Sequence, residues 1–109
     1  MKSLDDMTEE VLNLNTEKGW RPDDQRTFGD EVALLHSEVS EMLEAYREIG
    51  MAERTSLTGK PDDVGSEAAD VLIRLLDMSQ AWEIDLADEY ERKMAYNRTR
   101  PWRHGGKKL

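Results

Sequence analysis

The chain contains no cysteine. That excludes a disulfide framework, a thiolate metal site and a cysteine nucleophile. It has 3 prolines, 7 glycines and only 6% aromatic residues, too few turn formers and ring side chains for a protein built of many short strands. No run of about 18 apolar residues occurs, so no membrane-crossing helix is expected. The opening MKSLDDMTEEV has no apolar signal region, and the expectation from it is a cytoplasmic protein. Acidic residues are absent from positions 92–109.

What the chain does have is charge, at 36% of 109 residues and a net value of −9. Residues 1–91 carry all 24 acids against 8 bases, while the last 18 residues carry 7 bases. An acidic body argues against broad binding to nucleic acid. It suits cations, and the basic end suits a local anion. The length is that of one domain, 1–109, which buries a core without staples.

Hydrophobic spacing predicts an all-α, four-helix bundle-like fold. Helix 1 spans about Leu4–Lys18, with Ser3 to cap it and Gly19 to end it. A polar turn, Arg21-Pro22-Asp23-Asp24, follows. Helix 2 starts near Thr27, which has Asp30 three residues on, and runs to Glu48 before Gly50. Residues 50–62, with Gly50, Gly59 and Pro61, read as a loop. Helix 3 spans about Val64–Trp82. Helix 4, capped by Asp85, runs to about Thr99 before Pro101. The short break between helices 3 and 4 predicts antiparallel neighbours. From about residue 101 the chain is a basic, Gly-containing tail, expected to be mobile unless bound.

The position of the acids on each helix matters more than their number. At about 100° per residue with Phe28 at zero, helix 2 has an apolar face of Phe28, Val32, Leu35, Val39, Met42, Leu43 and Tyr46. That face is the expected core side. Glu38 falls at about 280° and Glu41 at about 220°, interleaved with Leu34 and Ala45. Helix 3 is apolar around more than half its circumference. One face holds Val64, Ala68, Val71, Leu75, Met78 and Trp82; another holds Ala69, Leu72, Ile73 and Leu76. Burial on two sides is therefore expected. Its charges form one strip: Glu67, Asp70, Arg74 and Asp77. On such a helix, an acidic strip is costly unless paired. Either it is a solvated face paired with Arg74 and Arg47, or Glu38, Glu41, Glu67 and Asp70 meet across a helix pair. Four hard oxygen donors in the second case suit Mg²⁺ or Mn²⁺.

Helix 4 places Lys93, Asn97 and Arg100 at i, i+4 and i+7, one face with groups able to hold phosphate oxygens. An ordinary exposed basic helix end is the plainer account. Trp20, just past helix 1, offers a ring for a base to stack on, or a plug at a helix end. Trp82 is expected in the core. His36 points away from Glu38, and His104 and Trp102 fall in the tail.

The run Glu38-Val-Ser-Glu41, followed by Glu67-Ala-Ala-Asp70, resembles the paired Glu-x-x-Glu and Glu-x-x-Asp motif of the MazG-like, all-α nucleoside triphosphate pyrophosphohydrolases. The segment from Lys93 through Asn97 and Arg100 to Lys107 is similar to the C-terminal signature of single-domain members. The resemblance implies a Mg²⁺-dependent hydrolase splitting a (d)NTP into (d)NMP and pyrophosphate, with nucleotide-pool housekeeping as its role. It implies metal ligands at Glu38, Glu41, Glu67 and Asp70, with Glu38 or Glu41 as the base. Lys93, Asn97 and Arg100 would contact the triphosphate, and the protein would be a homodimer or homotetramer. Two other functions compete: a non-catalytic acidic module binding a basic partner, and a phosphohydrolase of the same fold acting on another phosphate substrate.

Overall fold

Local capping chemistry sets the start of every helix in the computed structural model, which describes residues 1–20 and 25–101. The turn at 21–24 and the tail from Trp102, with His104, lie outside the described residues. Four helices occur in the order α1 (Leu4–Lys18), α2 (Phe28–Ile49), α3 (Val64–Ala81) and α4 (Leu86–Asn97). The described residues contain no strand, and a single isolated bridge joins Thr55 to Pro61. Ser3 with Asp6, Thr27 with Asp30 and Asp63 with Ser66 form reciprocal capping boxes, and Asp85 caps α4. Each satisfies backbone N–H groups that the first turn leaves over. None of the described helices is long and apolar enough to cross a membrane.

α1 and α3 both end in a left-handed residue. Gly19 takes φ 66°, its N–H bonding Thr16 O while the Trp20 N–H bonds Asn15 O. Glu83 takes φ 57° in the same arrangement, with Glu83 N–H on Gln80 O and Ile84 N–H on Ser79 O. A glutamate there bears a Cβ penalty that glycine does not. Glu83→Gly is expected to stabilise the protein by about 1 kcal/mol, read as roughly 4 °C in melting temperature. An unchanged or lower value in thermal unfolding would count against strain at this turn.

The packed pairs are α2 with α3, α1 with α3 and, more lightly, α1 with α4. The expected antiparallel packing of α3 and α4 is not observed. The turn through Glu83 sends α4 toward α1 instead. α4 also ends before the expected Thr99, because the Thr99 N–H and hydroxyl both bond Tyr96 O and close the last turn. The radius of gyration is 16.8 Å, against about 13 Å for a compact domain of this size. The helices are therefore arranged openly.

α2 and α3 run antiparallel: Phe28 meets Trp82 edge to face at 5.5 Å, and Glu38 meets Arg74 ten residues further along α2. The expected core face of α2 is covered only in part, with Val32, Leu35 and Met42 half-buried. Phe28, Val39, Leu43 and Tyr46 are exposed, whereas Glu31 and Ala45 are buried. Glu31, Glu38 and Ala45 recur every seven residues and form the row that meets α3. On α3, Leu76, Met78, Ser79 and Glu67 are buried, while Ala68, Ala69, Leu72, Ile73 and Trp82 are exposed. Trp82 is thus a half-open helix-end residue and not a core one. Periodicity identifies apolar rows, but it does not say which row meets the same chain.

The connection between α2 and α3 is held by Arg54. Its guanidinium bonds Asp62 at 2.8 Å and Glu48, in the last turn of α2, also at 2.8 Å. Its backbone N–H bonds the Asp63 carboxylate at 2.9 Å. The Asp62 and Glu48 carboxylates raise the Arg54 pKa still further. The N–H groups of Arg54 and Ser66 hold Asp63 below its ordinary value, as expected for a carboxylate capping a helix. The start of α3 is therefore fixed, and Glu67 sits one turn in.

Candidate metal centre

The α2–α3 seam brings together three of the four carboxylates singled out from the sequence. Oxygens of Glu38, Glu67 and Asp70 all lie within 4.8 Å of one another. Glu67 is 8% exposed, and the Glu38 side chain is 19% exposed. Burial first, then the charge of Asp70 and a hydrogen bond with it, then Glu41, raise the Glu67 pKa; Lys60 opposes them. Glu41 is exposed and stands outside the triangle, though near enough to act on Glu67. The donor set fits a hard divalent cation: carboxylate oxygens of like charge, converging, with one nearly buried. Such an ion would relieve the repulsion that raises Glu67.

Arg74, one turn beyond Asp70, donates to Glu38 Oε1 at 3.0 Å. The solvated-face account is right in this respect: one acid of the group has a cationic partner. Arg47 instead pairs with Glu44 on α2. Glu38 and Asp70 also open onto a cavity of about 370 Å³, a volume within the range of small-molecule sites. Trp20, Arg26, Arg74 and Ile73 line it, with Asn15 and Asp77. Trp20 thus shares a cavity with two members of the triad, and it is 63% exposed.

Lys93, Asn97 and Arg100 are not among the cavity-lining residues. Lys93 lies 5.5 Å from the Tyr96 ring centroid, and both line a separate surface hollow with Glu89 and Arg92. Asn97 is half-buried, and its Oδ1 is buried without a hydrogen-bond partner. His36 is exposed, as expected.

Glu31 and the Asn15–Asp77 pair were not apparent from the sequence. Glu31 is 0% exposed, with Arg26 Nε 3.5 Å from its Oε1. A signal for Glu31 existed: it lies seven residues before Glu38, on the same face. None existed for Asn15 and Asp77, whose 2.8 Å hydrogen bond spans 62 residues of sequence. Comparison with protein-family models, with curated proteins and with solved structures finds no match to this chain.

Proposed function

We propose that the protein is a Mg²⁺-dependent nucleotide pyrophosphohydrolase of the MazG-like type, splitting a (d)NTP into (d)NMP and pyrophosphate. The observation that carries this reading is that Glu38 and Asp70 of the carboxylate triad, two arginines and an exposed tryptophan open onto one cavity. Those are complementary chemistries for a metal–triphosphate and a base. Glu38, Glu67 and Asp70 would hold the cation, with Glu41 beside them. When bound, Mg²⁺ or Mn²⁺ supplies charge neutralisation at phosphoryl oxygens and a more acidic water. Arg74 and Arg26 offer donors to phosphate oxygens at the cavity wall. Glu41 is outside the triangle and open to solvent, and it is the carboxylate best placed to take a proton from the attacking water. Water adds one oxygen to phosphorus, the α–β anhydride bond breaks, and pyrophosphate leaves. Lys93, Asn97 and Arg100 lie on a different surface of the same chain, and we assign them to the triphosphate of a neighbouring subunit's site.

This last assignment requires a homodimer or homotetramer, for which the surface provides a face. Val39, Leu43 and Tyr46 on α2 and Leu72 on α3 are exposed. On α2 this row follows the seam-facing row by roughly 100° in the direction of increasing residue angle. Phe28 and Trp82 stack at one end. An apolar face of this extent is characteristic of an interaction surface.

The deciding experiment is pyrophosphate release with Mg²⁺ over a panel of ribo- and deoxyribonucleoside triphosphates. We expect metal-dependent pyrophosphate and monophosphate, reduced more than about a hundredfold in both Glu38→Gln and Asp70→Asn. Release of inorganic phosphate alone would indicate a phosphohydrolase of another substrate class. No turnover by a folded, metal-binding protein would return the acidic strip to the role of a binding surface.

A further inference from the structure

One wall of the cavity carries polar groups that neither the cation nor the phosphates account for. Asn15 Nδ2 donates to Asp77 Oδ1 at 2.8 Å, joining α1 to α3 beside the triad. A carboxylate only accepts, so the Asn15 amide must turn its nitrogen to Asp77 and its oxygen away. The Trp20 N–H bonds the Asn15 backbone O at 3.0 Å across the left-handed turn at Gly19. The ring and the amide therefore flank one helix end, and both line the cavity, with the half-open Ile73 from α3.

We infer that this wall reads the nucleobase, and that it selects bases bearing an exocyclic amino group. This rests on the proposal that the cavity takes a nucleotide. Trp20 presents a flat ring on which any base can stack, and Ile73 adds an apolar contact, giving affinity without discrimination. Discrimination comes from the edge. The Asn15 oxygen, turned away from Asp77, is the acceptor that edge presents. The amino groups of cytosine, adenine and guanine donate to such an edge. Uracil and thymine turn O4 toward it, placing lone pair against lone pair, and a desolvated polar group left unpaired is the strongest basis for rejection. Asn15 is the reading residue, and Asp77 is the positioning residue that fixes which end of the amide faces the base.

Calorimetric titration separates this inference from the reading beneath it, because binding is measured without hydrolysis. The probes are the α,β-imido analogues of dCTP and dUTP with Mg²⁺. The wild-type protein is expected to bind the cytosine analogue at least about tenfold more tightly than the uracil analogue. In Asp77→Asn the neighbour offers both a donor and an acceptor, the Asn15 amide can lie either way, and the preference should fall to within about threefold. Asn15→Ala should reduce the preference as well, and circular dichroism melts of both variants check that α1 remains packed on α3. Equal wild-type affinity for the two analogues, or a preference that survives both substitutions, overturns the inference while leaving the hydrolase reading intact. Binding of neither analogue by a protein that binds Mg²⁺ overturns both.

Discussion

Replacing Glu67 with glutamine will raise the melting temperature of the metal-free protein by several degrees and abolish its response to Mg²⁺. The carboxyl is nearly buried, faces Asp70 and Glu41, and titrates above its ordinary value. A group whose folded pKa is raised contributes stability below its unfolded pKa and loses it as pH rises through the folded one. At neutral pH, therefore, the burial of Glu67 and its repulsion by Asp70 and Glu41 are a cost to the apo fold. The glutamine amide would keep the shape and remove the charge. In the wild-type protein, Mg²⁺ at a hundred times its dissociation constant should add about 2.7 kcal/mol, or roughly 10 °C. The variant should show almost none of this gain. Lowering the pH from 7 toward the ordinary carboxylate range should likewise stabilise the apo wild-type protein but not the variant. Asp63 behaves oppositely, its contribution being present above its unfolded pKa and lost only as pH falls through a still lower value. The two windows are separate. A wild-type melting temperature indifferent to Mg²⁺, with Glu67→Gln no more stable, would show that the triad is a surface ion-pair group.

In the proposed homo-oligomer, Leu43→Lys is expected to give a monomer. Leu43 is 48% exposed in the single chain, so the substitution leaves the packing within one chain largely untouched. In a two-fold interface it appears twice. Burying an unpaired ammonium beside Val39 and Tyr46 of the same row, at about 2 kcal/mol for each copy, gives an increase in dissociation constant on the order of 10³-fold. Sedimentation velocity provides the test. Sedimentation of the wild type as a 12.6 kDa species at micromolar concentration would refute the apolar face as a self-association surface.

The legible and illegible parts of this protein divide by distance along the chain. Ser3, Thr27 and Asp85 announce helix starts because a cap bonds to the backbone three residues away, and those boundaries agree with the structure. The acid strips were legible for a similar reason, since i and i+3 share a face whatever the tertiary fold. The side of α2 that meets α3 was not. Phe28, Val39, Leu43 and Tyr46 make the more apolar row, and the sequence-level rule placed them inward. In the structure, the covered side is centred on Glu31, Glu38 and Ala45 and takes in Val32, Leu35 and Met42, leaving those four open. A periodic pattern records that a face is covered, not by which chain. Glu83 was hidden because left-handed helix ends are normally marked by glycine, and the Asn15–Asp77 pair because no local rule links residues 62 apart.

The Arg54 clasp changes what the long α2–α3 connection costs. A free segment of this length would be charged the closure entropy of all its residues, and any lengthening would be felt by α3. Because Arg54 grips Glu48 on one side and Asp62 and Asp63 on the other, the chain is closed below the tip. Residues 55–61 form a small separate loop above it, fastened by the Ser56 N–H to Lys60 O bond and by the Thr55–Pro61 bridge. Chain added at the exposed Leu57 enlarges only that upper loop, at about 0.6 kcal/mol per doubling. The tip is thus a place where sequence can be gained or lost while the carboxylates below it keep their spacing.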